Sequence, residues 1–510
     1  MVSMTRIRPT SFVRTRRKPF GGVRCSREAK DRIHSTIVWT IISMAFRRGP
    51  VCSYLDLFVM RLDYTPTRLN LILFVIIAAL INSKMSQRIV PRWPSASTDV
   101  RPLAEPLVFP FSKRTAPNRL LKAATSEYLS SYDEANPEAR GIPPSRMADF
   151  YARFAQGGWG QILTGNIQIS YTDLEAPGNA IIPPGAEFSG PRFEAFAAVA
   201  AAGKSHGGLI VGQVSHPGRQ AFAALQPHPI SASPVQLVTS FRGSFGLPRA
   251  ATRQDLDDVI EGFAHAAEYL ERAGFDGIEL HAAHGYLLAQ FLSPSTNQRT
   301  DMYGGSLENR MRLILEIRAA IKKRVSEGFI LGIKVNSVEF QDKGFTPEEA
   351  VVLCQALDKA QFDYIETSGG TYENIAFEHK KESTAKRENY FVEFAERIAA
   401  AVENTKVYTT GGLRTVGGML STLEGVDGLG FGRVAIQEPS FAADILSGKV
   451  TGAMKSSIPE EDFMSQGLLI NYVLQQLARG EEPADLTDPK VAKEIIASAM
   501  KEHGGHMEGK

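Results

Sequence analysis

The sequence predicts an α/β fold, a (β/α)8 TIM barrel, between about residues 110 and 450. Short β-branched or apolar runs recur there eight times. Most are followed by a loop and then by a segment whose apolar residues are spaced three and four apart, which is the mark of a helix with one buried face. Strand then helix at that interval implies parallel strands with helices outside, and such a barrel takes about 250 residues or more, which this stretch supplies with room for insertions.

The first strand is read at Leu120–Ala124, and the helix after it at Met147–Gln156. Gln161–Thr164 and the helix Arg192–His206 form the second unit, and Leu209–Gln213 is the third strand. An insertion rich in Pro, Gly and Phe, Pro217–Thr252, follows it on the face where a barrel keeps its chemistry, and is read as a lid. The helix Leu256–Ala273 leads into the fourth strand, Gly277–His281, where Ile278 and Leu280 are the apolar residues of a buried run. The remaining units are Asn309–Glu327, Ile330–Val335, Thr346–Ala360, Tyr364–Thr367, Tyr390–Glu403, Lys406–Thr410, Thr415–Glu424 and Gly428–Gly432, helix and strand alternating. Beyond 450 one further helix, Asp462–Leu477, precedes a charged tail ending in Gly-rich sequence.

Residues 1–84 differ in kind. From Met1 to Arg27 there is no acidic residue among eight basic ones, a composition like that of a mitochondrial presequence. Leu71–Ile81 is an unbroken apolar run, shorter than the roughly 17–25 residues of a membrane-spanning helix. The three-part reading is therefore an N-terminal extension over 1–84 (presequence, anchor or mis-set start), a barrel over 85–460, and a C-terminal helix and tail over 461–510. A cytoplasmic location is expected, or a mitochondrial or membrane-anchored one if the extension is genuine. A net charge of +2 gives no overall argument for nucleic acid, and Cys25, Cys52 and Cys354 are too few and scattered for a disulfide framework, zinc ribbon or iron–sulfur cluster.

The predicted strand ends carry polar groups again and again. Thr125-Ser126-Glu127, Thr164-Gly165-Asn166, Gln213, Lys334 with Asn336, Thr410-Gly411-Gly412 and Gly432-Arg433 all fall there, as does the crowded run from His281 through His284 to Tyr286. Glycines after strands seven and eight let backbone N–H groups approach a phosphate, and Arg433 adds a guanidinium fork. A phosphate site, a glutamine amide and a lysine facing one cavity suit a flavin mononucleotide. A metal site built on His281, Glu279 and His284 is the competing reading, although the zinc pattern HExxH spaces its histidines four apart rather than three. It would make the chain a metal-dependent hydrolase or lyase. A third reading is a barrel that serves only as a scaffold.

The motifs PNRLLKAATSE, GQVSHPGRQ, AGFDGIELHAAHGYLLAQFLSPSTNQRTDMYGGSLENR, GIKVNS, TSGGTYE, TTGGLRT and GFGRV together resemble the Old Yellow Enzyme group of FMN-dependent NADH:flavin oxidoreductases, over roughly residues 105–460. The resemblance implies bound FMN, NAD(P)H as hydride donor, and reduction of a small activated alkene (enone, enal or nitroalkene). It implies Ala124 and Ser126 beside the flavin, the latter near O4, Gln213 on the pyrimidine edge, Lys334 by N1 and O2, and Gly412, Gly432 and Arg433 on the phosphate. His281 and His284 would bind the substrate oxygen and Tyr286 would donate the proton. Two departures bear on flavin potential: Ala123-Ala124 replaces a Pro-containing pair, and Ser126 stands where relatives carry Thr or Cys. Lys334 also stands where many relatives have Arg. A homo-oligomer is compatible with the resemblance.

Overall fold

Eight parallel strands close on themselves. The computed structural model describes residues 90–238, 244–336, 344–369, 391–460 and 462–504, and the chain divides into two units, 1–89 and 90–510, of which only the second is described. The strands are β1 (Leu120–Lys122), β2 (Gln161–Leu163), β3 (Leu209–Ser215), β4 (Gly277–Ala282), β5 (Ile330–Asn336), β6 (Tyr364–Ser368), β7 (Lys406–Thr410) and β8 (Gly428–Phe431). Each pairs in parallel with the next, and β8 pairs back onto β1, so the predicted TIM barrel is the observed fold.

Between the strands run α1 (Ser145–Gln156), α2 (Gly190–Lys204), α3 (Arg253–Arg272), α4 (Arg312–Lys322), α5 (Pro347–Lys359), α6 (Val392–Ala399) and α7 (Val416–Leu423). Capping boxes start two of them: Thr252 with Asp255 opens α3, and Thr346 with Glu349 opens α5, each satisfying backbone N–H groups that the first turn leaves without partners. The helix expected at 309–327 divides at Met311 into a short turn, Leu307–Arg310, and α4.

Because side chains alternate across a strand, the core separates into two layers. Ile278, Leu280, Leu331, Ile333, Val335, Ile365, Val407 and Leu429 face the helices. Leu121, Leu163, Leu209, Val211, Ile330, Tyr364 and Tyr408 fill the barrel interior, together with Leu107, Phe109 and Ala116 from an antiparallel hairpin, Leu107–Val108 with Thr115–Ala116. Glycine makes room for the interior tyrosines: a Cβ on Gly332 would lie 2.1 Å from the Tyr364 ring, and one on Gly428 2.3 Å from the Tyr408 ring. Lys122 is a charge in the outer layer. Its Nζ donates to the Leu163 carbonyl at 3.1 Å and lies 5.2 Å from the Phe154 ring centre, and burial pushes its pKa down to about 8.

The tail is more ordered than the sequence reading expects. After α8 (Phe463–Ala478) comes α9 (Pro489–Gly504), begun by a proline suited to a first helical turn and anchored by buried Leu486, Ala492 and Ile495. Its apolar spacing is broken by lysines and glutamates, which hides the helix in the sequence. The insertion 217–252 contributes a parallel pair, Ile230–Ser231 with Arg249–Ala250, and stacked rings of Phe222 and Phe245 with centres 5.2 Å apart. Its residues 239–243, residues 337–343, residues 370–390 with the first residue of the predicted helix at Tyr390, and the predicted extension 1–84 lie outside the described residues. Among the described residues no helix is long and apolar enough to cross a membrane.

Candidate active site

Strand register assembles the polar layer of the barrel. Glu279 pairs with Gln213, His281 with Lys334, and Lys334 with Glu366, so four neighbouring strands set these side chains side by side. Gln213 Nε2 donates to Glu279 Oε1 at 2.7 Å, and Lys334 Nζ meets Glu366 Oε1 at 2.8 Å, where Thr410 Oγ1 also donates at 2.6 Å. Glu279 and Glu366 are fully buried. Burial first, and the neighbouring Glu366 next, push the Glu279 carboxyl well above the usual carboxylate range.

Above this layer a turn carries the histidines. His284 has φ 57° and Gly285 φ 79°, two successive left-handed residues, of which only glycine takes that conformation freely. The turn is held from both sides. Asn336 Oδ1 accepts the His284 N–H at 3.0 Å, and buried Gln290 donates to the Gly285 carbonyl at 2.7 Å and the Pro217 carbonyl at 3.1 Å while accepting from Ser231 Oγ at 2.9 Å. His281 Nε2 and His284 Nδ1 then lie 3.1 Å apart, His284 Nε2 lies 2.9 Å from Ser368 Oγ, and the ring centres of His281 and Tyr286 are 4.3 Å apart.

Burial, followed by the charge of Lys334, holds both imidazoles well below the ordinary histidine pKa, so both are neutral. A histidine whose folded pKa is depressed contributes stability that is complete above its unfolded pKa, about 6.5, and is lost as pH falls through the folded value. The unfolding free energy is therefore expected to drop below pH ~6.5, by up to about 1.4 kcal/mol per pH unit for each of the two rings. Denaturant titrations at a series of pH values check this against His281→Gln/His284→Gln; equal slopes in both proteins would refute it.

Ala124, His284, Lys334, Gly412, Gly432 and Arg433 line one cavity of about 560 Å³ at the C-terminal end of the strands. Gly411 and Gly412 have φ 137° and 84°, and a Cβ on Gly432 would meet nothing within 4 Å. Among the described residues Arg433 has no carboxylate partner. Bare backbone and an unpaired guanidinium on one wall fit an anionic group such as a phosphate.

Ser126, Gln213, His281 and Tyr286 are not in the cavity wall. Two of them adjoin its wall: His281 hydrogen-bonds His284, which lines the cavity, and Tyr286 packs against the His281 ring, whereas Gln213 bonds Glu279 and Ser126 bonds Glu175, neither of which lines it. Sequence reasoning did not name Trp93, Arg414 or the segment 453–460, which close the far side. There Arg414 donates to the Gly412 carbonyl at 2.5 Å, pairs with Glu460, and lies 5.1 Å from the Trp93 ring centre, with Lys455 Nζ on the same ring at 4.7 Å. It also missed Glu175, Glu366 and Ser368. A charged residue inside the buried run YIETS was the one available signal, for Glu366. No three His, Cys, Asp or Glu side chains among the described residues converge as a metal site.

A closed parallel barrel with a polar cavity at the C-terminal strand ends is the architecture of a barrel enzyme. The chain belongs to the NADH:flavin oxidoreductase / NADH oxidase family, whose model matches residues 103–451, and it is a flavin- and nicotinamide-dependent oxidoreductase. It is 49% identical over 409 residues to the NADH-dependent flavin oxidoreductase nadA of Aspergillus parasiticus, covering 79% of this chain and 91% of that one. With the NADH-dependent flavin oxidoreductase iccE of Talaromyces variabilis the identity is 33% over 350 residues, 64% of this chain and 82% of the relative. Its fold is similar to an old yellow enzyme homologue from Zymomonas mobilis (TM-score 0.56, 22% identity, 69% of this chain and 94% of that chain). A morphinone reductase mutant solved with tetrahydroNAD is likewise similar (TM-score 0.54, 25% identity, 69% and 92%).

Proposed function

We propose that this protein is an FMN-dependent NAD(P)H oxidoreductase that reduces the activated C=C bond of a small enone, enal or nitroalkene. The observation that carries the reading is the neutral His281–His284 pair, with Tyr286 against it, at the rim of a cavity whose other wall bears Lys334, Gly412, Gly432 and Arg433.

Gly412, Gly432 and Arg433 would hold the phosphate. Lys334 would hold N1 and O2, Gln213 the pyrimidine edge, and Ser126 with the Ala124 backbone the O4 side. When bound, FMN supplies two-electron hydride chemistry between a nicotinamide and a second substrate. The chain's own side chains do the rest. His281 and His284 hydrogen-bond the carbonyl or nitro oxygen, drawing electron density from the conjugated double bond and stabilising the negative charge that develops there. Tyr286 carries the proton that the α-carbon receives. The inner layer below, built from leucines, Val211, Ile330, Phe109 and the rings of Tyr364 and Tyr408, fills the barrel floor.

The visible spectrum of the full chain, before and after anaerobic NADH or NADPH, tests the reading. A flavin band that bleaches and returns on adding a cyclic enone supports it; a colourless protein that FMN cannot reconstitute overturns it. The histidine pair has its own test. His281→Ala/His284→Ala is expected to abolish the long-wavelength absorbance that phenols induce on a flavin, followed by spectrophotometric titration, and unchanged phenol affinity would remove both histidines from the oxygen site.

A further inference from the structure

Two arginines stand on the cavity wall beyond the ends of β7 and β8, and they are held differently. Arg433 has no carboxylate partner among the described residues. Arg414 is seven per cent exposed, and its Nε and Nη2 form a bidentate pair with the Glu460 carboxylate. A guanidinium fork seated on a carboxylate has a fixed plane, so its third nitrogen is aimed. That nitrogen, Nη1, donates to the Gly412 carbonyl at 2.5 Å. The rest of the residue is anchored outside the loop it holds: the guanidinium lies 5.1 Å from the Trp93 ring centre, and the Arg414 carbonyl accepts the Ala453 N–H at 2.8 Å.

The carbonyl under this clamp belongs to the Gly412–Leu413 peptide. In a trans peptide the C=O and N–H point to opposite sides, so fixing the Gly412 oxygen on Arg414 turns the Leu413 N–H away from the guanidinium. Gly411, Gly412 and Leu413 line the cavity, and the N–H groups of Gly412 and Leu413 have no acceptor among the described residues. Gly412 takes φ 84°, a left-handed conformation that few other residues adopt, and the clamp sits directly on it. Bare backbone donors beside an uncommitted guanidinium make a nest for an anion. The charge of Arg414 is already met by Glu460, which leaves Arg433 as the cation of the nest.

We propose that Arg414, locked by Glu460, is a positioning residue that holds the Gly412–Leu413 peptide with its N–H presented to a phosphate, while Arg433 supplies the charge. That this phosphate is the flavin's rests on the function proposed above; the nest itself does not. Arg414 acts without touching the anion, since all three of its nitrogens donate to Glu460 or Gly412.

The test uses the full chain freed of flavin, with FMN, riboflavin and inorganic phosphate as probes. Wild type is expected to bind FMN more tightly than riboflavin, with phosphate competing against FMN alone. Arg414→Met is expected to weaken FMN about 10- to 10²-fold, the worth of one hydrogen bond to a charged group, and riboflavin by less than about twofold. A merely structural role would weaken both flavins alike, and equal loss overturns the proposal. Arg414→Lys keeps the charge without the fork, so the same FMN-selective loss is expected of it, and full FMN affinity in that variant overturns the proposal as well. The lysine variant carries the test alone if the methionine variant does not fold. Thermal unfolding with and without inorganic phosphate supplies an arm that needs no flavin. A ligand that binds only the folded state raises Tm, and the rise is expected to be larger in wild type than in Arg414→Lys. No rise in wild type, or an equal rise in the variant, overturns the proposal. Failure of the flavin reading would appear as no binding of either flavin alongside a phosphate effect that still depends on Arg414, so the two ideas fail separately.

Discussion

Replacing Tyr286 with Phe is expected to slow alkene reduction by about 10²- to 10⁴-fold, the usual contribution of a positioned general acid. The substitution removes one oxygen and little else. Tyr286 is three per cent exposed and packs on the His281 ring at 4.3 Å, contacts that Phe retains, so the turn and the histidine pair keep their places. Stopped-flow measurement of the two half-reactions separates the roles. Reduction of the bound flavin by NADH needs no proton from Tyr286 and is expected to proceed close to the wild-type rate, while reoxidation by a cyclic enone carries the whole defect. Equal loss in both half-reactions would reassign Tyr286 to packing. A variant that loses only the enone step but regains it with a nitroalkene, whose product anion is stable enough to take its proton from water, would strengthen the assignment.

The barrel was legible because each parallel strand, buried on both faces, stands out as a short apolar run, and because the helices between them repeat at a fixed interval. The boundaries moved by a residue or two: β3 runs past Gln213 to Ser215, and β1 stops at Lys122. The candidate positions at the strand ends were legible as candidates, since polar side chains at the ends of buried strands have few structural uses. Their partners were not. Glu366 became the counter-ion of Lys334 only once β5 and β6 were in register, a pairing across 32 residues that no local pattern encodes. Glu175 sits in an irregular loop whose polar residues look like any solvated turn, and its burial depends on β1, β2 and β4 meeting around it. Trp93 and the 453–460 segment come from opposite ends of the barrel sequence and touch through the pairing of Trp93 N–H with the Ala453 carbonyl at 2.9 Å. Sequence pattern carries periodicity and composition, whereas these contacts arise from closure of the barrel.

Lys334→Met is expected to destabilise the fold by about 3–5 kcal/mol, because it removes one partner of a buried ion pair and leaves the other charge without compensation. The Lys334 and Glu366 side chains are four and zero per cent exposed, so water cannot take over the role of the lost ammonium. Thr410 still donates to Glu366, but a hydroxyl cannot neutralise a charge. Denaturant titration of the variant beside wild type measures the loss, and an unchanged unfolding free energy would refute it. Adding Glu366→Gln removes the stranded charge while keeping an acceptor for Thr410, and the double variant should regain most of the stability. If Lys334 serves the flavin as well as the fold, the double variant will be stable yet hold a flavin whose reduction potential is lower than wild type, since the cation beside N1 and O2 is gone while the scaffold is restored. Stability and potential recovering together would confine Lys334 to the scaffold. Their separation would show one lysine serving as counter-ion to Glu366 below and to the reduced ring above.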